Sequence, residues 1–321
     1  MRWIRVAVAA VVLLLVPAAA RAERYALIVS GASGGPEYAD RYARWVAEMT
    51  SVLVDRLKFD PAHITVLGET AAEATSASSV NVRSALSSIG KRLTPDDLLF
   101  VVLIGHGTSD GVDAKFNLVG PDLESAEWLE LLAELPGQLV LVNTTAGSFP
   151  FIERLTGDRR IIITATDSLA QRFDTVFPGY FIAAFQDEQA DIDKNGRISI
   201  WEAFAWANGA VRRHFQQRGQ LATERALLDD NGDGVGRDGV GAGDDGSVAS
   251  RTYLDEPLAG AAPTDEVLVH LLQKRAALEA EVEELRIRRT FMPPDEYLKE
   301  FERLMIELAR VARGIRGRIK S

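Results

Sequence analysis

The chain has 321 residues, of which 47% are hydrophobic and 26% charged, enough apolar material for one large or two smaller domains without disulfide or metal staples. It contains no cysteine, which excludes thiol nucleophiles, thiolate metal sites and disulfide redox chemistry. With 46 acidic against 36 basic side chains and a net charge of −10, the balance argues against a nucleic-acid partner.

Residues 1–22 read as a secretory signal peptide: Arg2 and Arg5, an uncharged stretch from Val6 to Ala20, then Ala20-Arg21-Ala22 as the cleavage signal. The uncharged stretch is 15 residues long and broken by Pro17. A membrane span needs about 17 to 25, so no transmembrane segment is expected after cleavage. The mature chain is expected in a periplasm or outside the cell. Without Arg2, Arg5 and Arg21 the basic residues fall to 33 against 46 acidic ones, a net charge of about −13.

Tyr25 to Val29 predicts a first strand, followed by the glycine-rich loop Ser30-Gly31-Ala32-Ser33-Gly34-Gly35-Pro36. Tyr42, Trp45, Val46, Met49, Leu53 and Leu57 then recur at helical spacing. His63 to Leu67 is a second strand and Val80 to Leu93 a second helix. Leu98 to Ile104 is an uninterrupted apolar run ending in Gly105-His106-Gly107, the pattern of a buried parallel strand that delivers an imidazole to its carboxyl end. Lys115 to Asp122 reads as a short edge element and turn, and Leu123 to Leu135 as a helix. A fourth strand from Leu139 ends in Asn143-Thr144-Thr145-Ala146-Gly147-Ser148, and a fifth, Arg160 to Thr166, in Thr166-Asp167-Ser168. Strands alternating with helices predict an α/β fold with a mainly parallel sheet covered on both faces. Three strands thus place polar residues on one rim, where open α/β sheets bind ligands. Gly31-Ala32-Ser33-Gly34-Gly35 fits a nucleophile-elbow pattern, but Gly34-Gly35-Pro36 delays the helix that should follow directly, so it reads as a glycine turn.

From Asp191 the sequence changes character. Asp191, Asp193, Asn195 and Ser199 supply oxygen ligands at positions 1, 3, 5 and 9 of a twelve-residue loop, with Gly196 at 6 and Glu202 at 12. The Arg197 carbonyl would serve position 7, Ile198 is the loop's apolar residue, and Ile200 to Phe215 the exiting helix. This matches the EF-hand pattern, so calcium is the expected cofactor. A second acidic stretch has Asp229, Asn231, Asp233 and Gly234 in the same register, but position 12 falls on Val240. It reads as a partial site, or as a surface loop, since seven glycines and six aspartates lie between Asp229 and Ser247.

Thr264 with Asp265 and Glu266 marks a helix start, and Leu271, Leu278 and Leu285 fall at heptad spacing. Phe291-Met292-Pro293-Pro294 breaks this helix, and Tyr297, Phe301, Leu304, Leu308 and Val311 mark another, which predicts a helical hairpin. Arg310, Arg313, Arg316, Arg318 and Lys320 at its end suit a helix carboxyl terminus. The expected organisation is signal peptide 1–22, α/β domain 23–186, calcium loop with helix and Gly/Asp-rich loop 187–262, and hairpin 263–321.

A strand ending in His-Gly, followed about forty residues later by a strand ending in small residues and Gly-Ser, resembles the legumain and caspase-like cysteine peptidases. Strand, loop Gly31-Ala32-Ser33-Gly34 and Tyr38 entering the long helix are also similar to legumain. The resemblance covers roughly residues 24 to 186. It implies a caspase-hemoglobinase fold with His106 at the position of the family's catalytic histidine. Where the family has its cysteine this chain has threonine, at Thr144 if the glycine is matched and at Thr145 if the Asp-Thr-Cys form is matched. Where legumain has its specificity arginine after Tyr38, Ala39 stands. An alcohol must lose its proton to a base during attack, so a threonine nucleophile would need His106 oriented by a carboxylate such as Asp110, Asp113 or Asp167. Three readings stay open: a catalytically degenerate, calcium-binding homologue that recognises a peptide or protein; a hydrolase using Thr144 or Thr145 with His106; and a homo-oligomer assembled through the hairpin.

Overall fold

The computed structural model describes residues 22–70, 72–109, 113–238 and 245–256, individual positions between Val267 and Met292, and residues 293–319. The signal segment up to Arg21, Asp110, Val240, the helix start at Thr264 to Glu266, Phe291 and Lys320 lie outside the described residues. In chain order the elements are β1 (Arg24–Ser30), α1 (Pro36–Ser51), β2 (Ile64–Leu67), α2 (Ser79–Gly90), β3 (Leu98–Ile104), β4 (Gly107–Ser109), β5 (Ala114–Phe116), β6 (Leu123–Glu124) and α3 (Ser125–Ala133). They continue with β7 (Gln138–Asn143), α4 (Pro150–Leu155), β8 (Arg160–Thr164), α5 (Phe177–Ala184), α6 (Ile200–Gln217), β9 (Leu227–Asp229) and α7 (Pro294–Ile319).

Six strands form one sheet in the order β2-β1-β3-β7-β8-β9, parallel except for β9, which runs antiparallel to β8. β3 lies in the interior, and all seven of its residues are buried. Alternation of its side chains builds two cores. Phe100, Val102 and Ile104 pack with residues of α1, α5 and α6, whereas Leu99, Val101 and Leu103 pack with residues of α2, α3 and α4. A strand buried on both faces must be apolar throughout, which is why it was legible as a continuous run.

Several elements differ from expectation. Leu123 and Glu124 pair with β5 instead of opening the helix, because Glu124 and Glu127 form a reciprocal capping box that starts α3 at Ser125. The expected edge element is the middle strand of a separate antiparallel sheet, β4-β5-β6, which carries the chain away from His106 and back. α5 (FPGYFIAA) is apolar around its circumference and shows little helical periodicity, since both its sides meet buried neighbours. β9 is a strand of three residues embedded in polar sequence and has no pattern of its own.

Leu304, Val311 and Ile315 of α7 are buried in an apolar cluster with Leu278, Val282 and Leu285. Among the described residues no helix is long and apolar enough to cross a membrane.

Candidate functional site

β3 and β7 are neighbours, with Leu103 opposite Asn143, so His106 and the threonine corner share one rim of the sheet. β8 adds Thr166, whose hydroxyl lies 3.1 Å from Ser148 Oγ. The three polar strand ends are therefore brought together as expected.

His106 is half-buried between the glycine turn and α1. Its Nε2 lies 2.9 Å from the Ser33 carbonyl oxygen. A carbonyl can only accept, so Nε2 carries a proton in this arrangement. The Tyr42 hydroxyl sits 3.2 Å from Nε2 and 3.4 Å from Nδ1, and 3.4 Å from Asp174 Oδ1. Tyr38 packs edge-on against the imidazole, ring centroids 4.8 Å apart. Burial first, then the Asp174 carboxylate, raises the Tyr42 phenol above its ordinary range, so it stays a neutral donor. Asp174 in turn pairs with Arg41, whose guanidinium lies over the rings of Tyr38 and Trp45. Arg41, rather than the Ala39 position after Tyr38, is thus the cation of this corner.

The threonines are turned to other partners. Thr144 is buried and its hydroxyl donates to the Leu103 carbonyl at 2.7 Å. The buried Thr145 hydroxyl donates to Asn143 Oδ1 at 2.8 Å. A Cβ on Gly107 would come within 2.4 Å of Thr145 Oγ1 and 2.5 Å of the Ala146 carbonyl oxygen, so only glycine lets this corner close on the His106 segment. Two of the carboxylates expected to orient His106, Asp113 and Asp167, have other partners. Asp113 accepts from Ser125 Oγ and from the Ala114 amide, and Asp167 lies 3.5 Å from Arg225. The Asp174 carboxylate is linked to the imidazole through the Tyr42 hydroxyl. It sits between β8 and α5 in sequence without periodicity, and no fixed spacing relates it to His106.

A cavity of about 560 Å³ opens at the other, amino-terminal end of the parallel strands, lined by residues including Arg24, Asp96, Gln138 and Tyr253. It is remote from the His106 rim.

The stretch Asp191 to Glu202 closes on itself. Gly196 N–H donates to Asp191 Oδ2 at 3.0 Å, Asn195 N–H to Asp193 Oδ1 at 3.0 Å, and Arg197 N–H to Asn195 Oδ1 at 2.8 Å. Gly196 takes a positive φ of 82°, as the sharp turn requires. Ser199 caps α6 and Glu202 completes the box, accepting from Ser199 N–H at 2.9 Å. The other oxygen of Glu202 accepts from Ile192 N–H at 2.9 Å and Asp193 N–H at 3.2 Å, bending the start of the loop over its end.

One carboxylate oxygen from each of Asp191, Asp193 and Glu202 lies within 4.8 Å of the others. Oxygens at the 2.3–2.6 Å radius of one calcium ion stand at most about 4.6–5.2 Å apart, so the residues fit such an ion. Burial, and secondarily the neighbouring carboxylates, push Asp193 up to about 6 and Glu202 up to about 7. Both are the response of crowded carboxylates that a divalent cation would relieve. The Arg197 side chain points elsewhere, pairing with Asp255 at 2.7 Å, which leaves its carbonyl as the expected donor. In the second acidic stretch Asp229 and Asp233 come together with Asp245, a residue absent from the expected set. Asn231 Nδ2 lies 3.3 Å from Asp233 Oδ2.

No protein-family model matches this chain, and no curated protein matches it. Among solved structures, that of protein GSU0716 from Geobacter sulfurreducens is similar at 15% identity and a TM-score of 0.43, covering 64% of this chain and 92% of that one. A likeness that distant carries no argument about function.

Proposed function

We propose that this chain is a legumain-like α/β protein without acyl-transfer activity, whose rim binds a peptide segment and whose Asp191–Glu202 loop is an EF-hand site held by calcium. One observation carries the reading: both candidate nucleophiles donate their hydroxyl protons to fixed acceptors, Leu103 O and Asn143 Oδ1, while His106 is spent on Ser33 and Tyr42. A nucleophile needs a base within hydrogen-bond reach, and here neither hydroxyl has His106 as its acceptor. The adjacency of the His106 and Thr144 strands supports the caspase-hemoglobinase reading of the sheet. The ligand class comes from that resemblance. The half-buried ring of Tyr38, packed edge-on against the half-buried His106, is chemistry suited to an extended chain. The C-terminal cluster around Leu278, Leu285 and Leu304 supports the helical hairpin. Calcium modules outside the cell work at roughly 10⁻⁴ to 10⁻³ M, so the ion's role would be structural.

The test is a mixed peptide library presented to the mature chain in calcium, beside His106→Ala and a Thr144→Ala, Thr145→Ala double variant. Retention of a subset of uncleaved peptides, weakened by Tyr38→Ala, is expected. Cleavage lost in both the histidine and the double-threonine variants would overturn the proposal and make the protein a hydrolase.

A further inference from the structure

We propose that the chain holds a second calcium-type site at the end of β9, formed by Asp229, Asn231 and Asp233 and closed by Asp245, which returns from outside the twelve-residue spacing. The first half of this loop repeats three of the backbone-to-side-chain bonds of the Asp191 loop. Gly234 N–H donates to Asp229 Oδ2 at 2.7 Å, as Gly196 does to Asp191. Asp233 N–H donates to Asn231 Oδ1 at 2.8 Å, and Val235 N–H to Asp233 Oδ1 at 2.7 Å, as Asn195 and Arg197 do in theirs. The fourth position is left-handed in both, Lys194 at φ 61° and Gly232 at φ 81°.

The closing residue also has its counterpart. In the first loop Glu202 accepts the amide of the second position, Ile192, at 2.9 Å. In the second loop Asp245 Oδ1 accepts the amide of the second position, Asp230, at 3.3 Å. Asp245 arrives there because the Asp230 carboxylate binds the amides of Gly246 at 2.8 Å, Val248 at 2.8 Å and Ala249 at 2.6 Å. These three bonds clamp the returning segment over the loop.

What points to a ligand is the other oxygen of Asp245. Its side chain is only 4% exposed, and among the described residues Oδ2 has no hydrogen-bond donor. Arg237 Nε lies 3.5 Å away but makes no hydrogen bond to it. A buried carboxylate oxygen without a donor is costly, and a cation removes that cost. Carboxylate oxygens of Asp229, Asp233 and Asp245 lie within 4.8 Å of one another, the spread of ligands around one calcium ion. An all-oxygen donor set selects a hard divalent cation.

The experiment is equilibrium dialysis of radioactive calcium against the mature chain at pH 8, up to about 5 mM, the upper range of extracellular modules. Two ions per chain are expected in the wild type, one in Asp245→Asn, one in Glu202→Gln and none in the double variant. Wild-type stoichiometry in Asp245→Asn overturns the proposal, as does a single ion that Glu202→Gln removes. A single ion removed only by Asp245→Asn would uphold this site and refute the one at Asp191 to Glu202. Should Asp245→Asn not fold, Asp233→Asn decides, since that side chain is exposed. A tenfold or greater weakening of one ion supports the proposal, and unchanged affinity for both refutes it.

Discussion

Replacing Glu202 by glutamine separates a calcium ligand from a mere helix cap. The side chain is 4% exposed, and burial pushes its carboxyl up to about 7 from an ordinary 4.5. In chelator at pH 8, keeping it ionised costs about 3 kcal/mol, at 1.36 kcal/mol per pH unit of displacement. The amide removes that cost but cannot accept at both ends, so the bond from Ser199 N–H is lost, at about 1–3 kcal/mol. The two effects nearly cancel, and the variant should melt close to the wild type in chelator. In 10 mM calcium an ion bound with a dissociation constant near 10⁻⁴ M stabilises the folded state by about 2.7 kcal/mol. At roughly 2 °C per kcal/mol for a chain of this size, the variant should forfeit about 5 °C of the calcium-induced rise. Thermal denaturation by circular dichroism in calcium and in chelator measures both terms. The same calcium-induced rise in both proteins, or an equal loss under both conditions, refutes the reasoning.

The raised carboxyls also predict a pH dependence: Glu202, Glu224 and Asp245 all stand near 7 in the fold, above their ordinary 4.5 or 3.8. The folded chain then holds protons that the unfolded chain has released, so stability in chelator should fall as pH rises from about 4 to about 7. Calcium should flatten that fall, and urea titrations across the window would contradict the argument if stability in chelator rose instead. Gly107→Ala should destabilise by about 1–3 kcal/mol, because its Cβ would meet Thr145 Oγ1 at 2.4 Å and the Ala146 carbonyl oxygen at 2.5 Å. A melting temperature equal to wild type would show that the corner at Thr145 yields more easily than this packing implies.

Which parts of the site were legible follows from how each is held. The rim was readable because β3 and β7 are continuous apolar runs, and His106 and Thr144 sit where those runs stop. The loop from Asp191 to Glu202 was readable because its ligands come from one short segment whose spacing is set by backbone geometry. The expectation that Asp110, Asp113 or Asp167 orients His106 failed for Asp113 and Asp167, which the fold commits to Ser125 and Arg225. Asp110 lies outside the described residues. Asp174 and Asp245 were missed for one reason: each reaches its partners only when a distant segment folds back.

The sequence by itself determined the alternating α/β layout, the absence of thiol chemistry, the polar strand ends and the spacing of the first acidic loop. Each of these is local, carried by side-chain period, residue type or fixed offsets along the chain. Only the tertiary structure decided that the Thr144 hydroxyl bonds to the Leu103 carbonyl, that Tyr42 sits against His106 with Asp174 behind it, and that Asp245 lies against Asp229. Those are contacts between segments far apart in sequence, and their geometry exists only once the sheet has brought the strand ends together.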